Sequence, residues 1–383
     1  MSRQKKIVYI SGGRMDFGLM LPVLKAIKQS KSLDLQVYFT GLHLMREFGK
    51  TEKMVKKEFP NPKPLPAIYL GDEKKASVVF ISDLLTKIVD AFIKNRPDIT
   101  ITLGDRPEML AVAIASQYLG IVTAQIHAGD KTMHIDEIAR HAITKLSHLF
   151  FVATNDAKKR VERLGEDQFR IHLVGAPGLD SIVNEKLPNT QEVYRFLNLK
   201  PKDKFILLLQ HSVWDQVHQA GKQMTMLISI IKRFQLPTVV IYPNADAGAR
   251  AMIDVIDKER NNPLFRIFPN VDRNMFLALE REAAVWVTNS SAGMIESGTF
   301  HTPVVNVGSR QHGRIHSANV ILVGFDEDKI HQAIVKCLED GSFLRLIKKK
   351  SNPWGDGKTA SRIVKVLENI EITNKLLVKQ IRY

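Results

Sequence analysis

Two successive series of short β-branched runs, each run followed by a stretch of helical periodicity, constrain this chain more than anything else in it. The first series comprises residues 6–10, 35–40, 67–70, 99–103, 122–126 and 149–153; the second comprises 205–210, 239–242, 265–268, 284–288 and 304–307. Strands that alternate with helices pair through right-handed crossovers, so each series reads as βαβ units on a parallel sheet. Gly175-Ala176-Pro177-Gly178 and a polar stretch to Lys202 separate the two series, which puts a linker near 176–200. The expected architecture is α/β, with two Rossmann-like doubly wound domains, 1–180 and 181–360, and a ligand in the cleft between them. A length of 383 residues suits two such domains.

Composition removes several function classes. Lys plus Arg number 55 against 40 Asp plus Glu, a net charge of +15, which suits an anionic ligand or merely a dispersed basic surface. The lysines are spread out apart from Lys348-Lys349-Lys350, and the 7% of aromatics do not interleave with a basic stripe, so nucleic acid is not the expected partner. The single cysteine, Cys337, rules out an intramolecular disulfide and a multi-thiolate metal site. The longest apolar run, 109–115, falls far short of the roughly 20 residues that span a bilayer. Met1-Ser-Arg-Gln-Lys-Lys has no apolar core of a secretory signal, so a cytoplasmic location without membrane attachment is expected.

Open parallel sheets bind ligands at the carboxyl ends of their strands, so residues just past each run are the candidate site. After 6–10 come Ser11-Gly12-Gly13-Arg14, small residues that let backbone approach a phosphate at a helix N-terminus, with Arg14 as a forked partner. The spacing is neither that of a dinucleotide fingerprint nor that of a P-loop, so a plain turn reads equally well. Gly104-Asp105-Arg106-Pro107-Glu108 sets a carboxylate and a guanidinium at the next strand end, although Asp105 also suits a helix cap. The densest cluster runs from His127 to His148, where Asp130, Lys131, His134, Asp136, Glu137, Arg140, His141 and Lys145 also fall. A helix over 135–147 makes Asp136 and Arg140, and Glu137 and His141, neighbours one turn apart. Acids beside bases are what proton transfer needs. His127, Asp130 and His134 match no compact ligand spacing, so neither a metal nor a cofactor is expected. In the second half, His211 and Asn244 follow strands, and Ser290, Ser291 and Glu296 open a helix as an anion cradle with a ribose-binding acid beyond it. A serine N-cap is the ordinary alternative there. Arg310 and Arg314 offer two guanidiniums to a diphosphate.

These motifs resemble the hydrolysing UDP-N-acetylglucosamine 2-epimerases of sialic-acid biosynthesis. The resemblance runs over residues 7–323 and is most specific at 135–148, an acidic pair followed by Arg140-His141-Ala-Ile-Thr-Lys. Gly104-Asp-Arg106, Asn289-Ser-Ser-x-Gly293 with Glu296, and Gly308-x-Arg-Gln-x-Gly-Arg314 stand in the family's order. Non-hydrolysing members usually carry Asp-Ser-Gly-Gly at 289 and Thr-Glu-Arg-Pro-Glu near Arg310, and this chain has neither. The resemblance implies the glycosyltransferase-B fold, with a helix over 360–380 crossing back from a terminal segment, 361–383, onto the first domain. It implies anti elimination of UDP through 2-acetamidoglucal, then addition of water, giving N-acetylmannosamine and UDP. Asp105, Asp130 and Asp136 would transfer protons, with Glu137 and Arg140 tuning them and His211 touching the sugar or diphosphate. Arg14, Arg106, His127, Asn244, Ser290, Ser291, Glu296 and Arg310 would bind the UDP-sugar. The expected assembly is a homodimer or homotetramer.

Two departures stand out. Relatives read His-Ile-(His/Glu)-Gly-Gly-Glu where this chain has Gln125-Ile-His-Ala-Gly-Asp130, so one histidine is lost and the acid is a methylene shorter. The arginines through which mammalian members bind a feedback inhibitor correspond to Asp254 and Asp257, so that regulation is not carried over. The resemblance implies UDP-N-acetylglucosamine, or a close analogue such as UDP-N,N'-diacetylbacillosamine, as the substrate. A non-hydrolysing epimerase and a glycosyltransferase or nucleotide-sugar binder of the same fold are the alternatives.

Overall fold

Strand β1 (Lys5–Ser11) is an inner strand of a seven-stranded sheet in a computed structural model that describes all but residues 1–2, 47–48, 71–73, 133–135, 214, 244–246 and 383. With β2 (Leu33–Phe39), β3 (Lys63–Pro64), β4 (Ile99–Leu103), β5 (Val122–Ile126), β6 (Leu149–Val152) and β7 (Ile171–Leu173), the order is β3-β2-β1-β4-β5-β6-β7, parallel throughout. A second parallel sheet holds β8 (Ile206–Leu209), β9 (Thr238–Ile241), β10 (Phe265–Phe268), β11 (Val285–Thr288), β12 (Val304–Val307) and β13 (Val320–Val323) in the order β10-β9-β8-β11-β12-β13. The chain divides into two compact units: residues 1–131, 135–183 and 354–383 form unit one, and 132–134 and 184–353 form unit two.

Each sheet is buried on both faces, which is why its strands read as near-continuous apolar runs. Because side chains alternate, Ile7, Tyr9, Val37, Phe39, Ile99 and Ile101 pack under the helices Arg14–Gln29 and Thr359–Asn369, while Val8, Ile10 and Tyr38 face the helices Lys74–Lys94 and Pro107–Tyr118. In unit two, Ile206, Leu208, Val240, Val285 and Val287 face the Ala220–Lys232 and Glu327–Glu339 helices, and Leu207, Val239, Ile241 and Trp286 pack against Thr190–Leu197 and Arg273–Glu282.

Four features differ from the expected pattern. Residues 67–70 are not a strand. Pro64 and Pro66 remove ladder donors, and the Ala67 carbonyl instead accepts from Gly41 N–H at 3.0 Å and Thr40 Oγ1 at 3.2 Å. Strands β7 and β13 are additions, both short and at sheet edges. The stretch 176–200 contains two helices, Gly178–Asn184 and Thr190–Leu197, the second opened by a capping box of Asn189 and Glu192. The terminal helix stops at Asn369 rather than running to 380, because Lys5 Nζ takes the carbonyls of Leu367 (3.0 Å), Glu368 (2.7 Å) and Ile370 (2.6 Å). Its other end is capped by Asp180, which accepts from Thr359 N–H at 2.9 Å and Ala360 N–H at 2.7 Å.

His148, just before β6, is buried and accepts the Thr123 N–H on Nδ1 at 3.1 Å. Burial first, then the cations Lys379 and Arg170, push its imidazole down to about 4. A folded value below the unfolded one means that its stability is present above the unfolded pKa near 6.5 and is lost as pH falls through the folded one. In His148→Asn, Oδ1 stands where Nδ1 did and nothing titrates. Between pH 7 and 5 the wild type is therefore expected to lose about 2 kcal/mol more than this variant. Urea unfolding at the two pH values checks it; equal losses would contradict it.

Candidate active site

Both sheet orders reverse at one point, between β1 and β4 in unit one and between β8 and β11 in unit two. The loops leaving two neighbouring strands part there and open a crevice at the carboxyl edge. Of the described candidates, Arg14, Asp105, Arg106, His211, Ser290 and Ser291 follow the strands on either side of these points.

In unit one the loops after β4 and β5 are tied together by the Asp136–Leu146 helix. Arg140 Nη2 donates to Asp105 Oδ2, and its Nη1 donates to the His127 carbonyl at 3.3 Å. Gln125 Nε2 bonds the carbonyls of Gly104 (3.3 Å) and Arg140 (3.0 Å), and Thr144 Oγ1 donates to Gln125 Oε1 at 2.7 Å. Gln125 therefore does a structural job, tying both loops to the helix. His127 Nδ1 meets Asp130 Oδ2 at 2.8 Å, and because the carboxylate accepts, Nδ1 carries the hydrogen. His127 sits at φ +60°, a left-handed conformation that a non-glycine residue holds only when its surroundings enforce it. Gly129 is required next to it: φ is +71°, and a Cβ there would come within 2.5 Å of the Ala157 carbonyl oxygen. Asp130 is buried, whereas the Asp105 side chain keeps one fifth of its surface exposed. Glu137 faces His141 at 3.6 Å. The side chain of Asp136 lies outside the described residues, as do Asn244 and His134.

The loop after β1 carries an exposed arginine over a buried network. Arg14 is exposed at the start of its helix. Behind it Asp16 is buried and accepts from Ser11 Oγ (2.7 Å), Tyr9 OH (2.8 Å) and Gly13 N–H (2.7 Å), while Ser11 Oγ also meets His43 Nε2 at 2.8 Å. Burial raises Asp16 to about 6 and lowers His43 to about 4. Arg106 is not a free guanidinium. It pairs at 3.2 Å with the fully buried Glu108, which also receives Tyr69 OH at 3.2 Å and packs so close to Gly12 that a Cβ there would fall 2.2 Å from Oε1. The Ser11–Asp16–His43 network escaped the sequence reading because it forms only when the loops after β1 and β2 meet.

In unit two Asn289 is the hub. Its Oδ1 accepts the His211 N–H at 2.8 Å, its Nδ2 donates to the His211 carbonyl at 2.8 Å, and its own carbonyl accepts from Arg310 (3.1 Å) and Gln311 (2.9 Å). Burial, and then the Arg310 guanidinium, push His211 down to about 3, so it is a neutral imidazole at working pH. That makes it a hydrogen-bonding group rather than a cationic acid. Arg314 is buried and held by Gln311 Oε1 at 2.9 Å. Ser290 serves as an N-cap, its hydroxyl accepting the Ala292 N–H at 3.3 Å, and Ser291 begins the five-residue helix Ser291–Ile295. Glu296 is buried and forked onto Arg273 at 2.8 and 2.9 Å, a partner that the sequence reading did not identify. No group of His, Cys, Asp and Glu able to hold a metal occurs among the described residues, and no described helix is long and apolar enough to cross a membrane.

The chain is similar to known proteins over most of its length. The family model described as UDP-N-acetylglucosamine 2-epimerase matches residues 25–368. The chain is 36% identical to the UDP-N,N'-diacetylbacillosamine 2-epimerase (hydrolyzing) of Legionella pneumophila over 98% of each chain. It is 30% identical to a UDP-N-acetylglucosamine 2-epimerase of Neisseria meningitidis over 97% of each. The UDP-GlcNAc 2-epimerase of Methanocaldococcus jannaschii, solved in complex with UDP-GlcNAc and UDP, superposes with a TM-score of 0.77 at 22% identity, covering 94% of this chain and 99% of that one; the two share the glycosyltransferase-B fold.

Proposed function

Because the chain belongs to the UDP-N-acetylglucosamine 2-epimerase family, we propose that it is a hydrolysing 2-epimerase of a UDP-activated 2-acetamido sugar. The observation that carries this reading is the pair of carboxylates, Asp105 and Asp130, held at the ends of adjacent strands β4 and β5 by Arg140 and His127. Epimerisation at C2 needs a base on one face of that carbon and an acid on the other. In the proposed reaction a carboxylate takes the C2 proton as the C1–O bond breaks and UDP leaves with the bonding pair. The 2-acetamidoglycal that remains adds water at C1, and an acid returns a proton to the opposite face of C2. Asp105 and Asp130, with Asp136 as a third acid, are the proposed proton carriers. Neutral His211, Arg310 and the Asn289 loop are the proposed grip on the diphosphate, and Glu296 that on the ribose hydroxyls.

The substrate proposed first is UDP-N,N'-diacetylbacillosamine, whose named epimerase is 36% identical to this chain; UDP-GlcNAc, carried by a relative at 30%, is the second reading. The enzyme is further proposed to be cytoplasmic, homo-oligomeric and a supplier of sialic-acid-type biosynthesis.

Incubation with each nucleotide sugar tests the reading. One free UDP and one mannose-configured free sugar are expected per turnover, with kcat/KM for the diacetylated substrate higher by about tenfold or more. Epimerised sugar still bound to UDP would overturn the hydrolysing assignment, and turnover only with an added acceptor would make the protein a transferase.

A further inference from the structure

Unit two holds a buried carboxyl group that the proposed reaction does not use. Arg273 and Glu280 lie seven residues apart on the Arg273–Glu282 helix, close to two turns, and so share one face. That face meets Glu296, the residue that ends the Ser291–Ile295 helix. Arg273 engages Glu296 through a fork, Nη1 to Oε2 at 2.9 Å and Nη2 to Oε1 at 2.8 Å. Glu280 is fully buried, and neither of its carboxyl oxygens accepts from an N–H or O–H donor among the described residues. The charged groups that act on it are Glu296, which faces it, and Arg273; Glu185 acts on Arg273 in turn. A second buried carboxylate beside the Arg273–Glu296 pair would leave a net charge out of water, a state avoided when one of the two acids keeps its proton. Burial and then the Glu296 carboxylate hold Glu280 well above the usual carboxylate range.

We propose that Glu280 is a positioning residue: a neutral carboxyl that donates its hydrogen to Glu296 and, with Arg273, fixes the Glu296 carboxylate for the hydroxyls of the nucleotide's ribose. The purpose assigned to the pair rests on the nucleotide reading of unit two given above. The pairing stands on the buried Glu280 carboxyl without a donor and on the Arg273 fork to Glu296 from the same helix face. Glu296 is 3% exposed, so its orientation is set by the neighbours that bond it. A glutamine at 280 keeps the shape and can donate an N–H to Glu296, whereas a leucine there fills similar space and donates nothing.

Two measurements on the full chain test this. The infrared absorption of a protonated carboxyl should persist in the wild type at pH 8 and be missing from Glu280→Gln. Its absence from the wild type would overturn the proposal. Titration calorimetry with UDP should give Glu280→Gln an affinity within about twofold of the wild type and Glu280→Leu one weaker by about tenfold, with kcat at saturating substrate unchanged in both. A Glu280→Leu variant that binds UDP as the wild type does, or a Glu280→Gln variant as weak as the leucine one, would overturn the positioning role. A wild type that shows the infrared band and binds no UDP would keep the carboxyl pair and overturn the nucleotide reading of unit two instead.

Discussion

Asp105→Asn should lower kcat by on the order of a hundredfold or more while UDP affinity stays within about twofold. The carboxylate stands at the carboxyl end of β4 with part of its surface open, and Arg140 fixes its direction. An amide of the same size keeps the steric fit and can still accept from Arg140, but it neither takes nor gives a proton at neutral pH. The groups proposed to grip the diphosphate and ribose, His211, Arg310, the Asn289 loop and Glu296, belong to unit two, so binding is spared. Steady-state kinetics with product detection, together with calorimetry of UDP binding, separates the two effects. A variant with more than about a tenth of wild-type turnover would remove Asp105 from proton transfer.

Asn289→Ala should have the largest effect in unit two. Asn289 is fully buried and its side chain both accepts from and donates to the backbone of His211. Truncation leaves a buried N–H and a buried C=O without partners, at about 1–3 kcal/mol for each such group. We expect unit two to lose about 2–4 kcal/mol of stability and UDP affinity to fall by about tenfold or more, since the loop that presents His211 loses its tie. Asn289→Asp should do no better, because a carboxylate would face the His211 carbonyl and add negative charge beside a diphosphate. Urea unfolding and UDP calorimetry check both variants; unchanged values for Asn289→Ala would show that the loop is held by other means.

How much of this was legible in the sequence depends on how local each interaction is. Strands β4 and β5 were readable to the residue, because buried strands are short unbroken apolar runs and Gly104 and Gly120 punctuate them. The 67–70 segment has the same apolar look, but its pairing was decided by the prolines before it. The residues Asp105, His127, Asp130 and Arg140, which the structure brings together, were visible as strand-end chemistry because adjacent parallel strands put their exit loops side by side. What sequence could not show is which charges are already spoken for. Arg106 and Glu296 read as free groups for a ligand, yet Glu108 and Arg273 hold them. The second of these pairs joins residues 23 apart, through a helix whose facing side no spacing rule reveals. The same limit hid Asp16 and His43, a buried acid and base whose loops meet only in the folded sheet.

Proton NMR of the reaction run in heavy water looks straight at the atom in question. If carboxylates of unit one carry protons to and from C2, the released sugar should be mannose-configured, hold one deuteron at position 2 and appear in step with free UDP. A mannose-configured product that kept its original hydrogen at that carbon would mean that no group of the protein had exchanged it, and the proton-transfer account would be wrong.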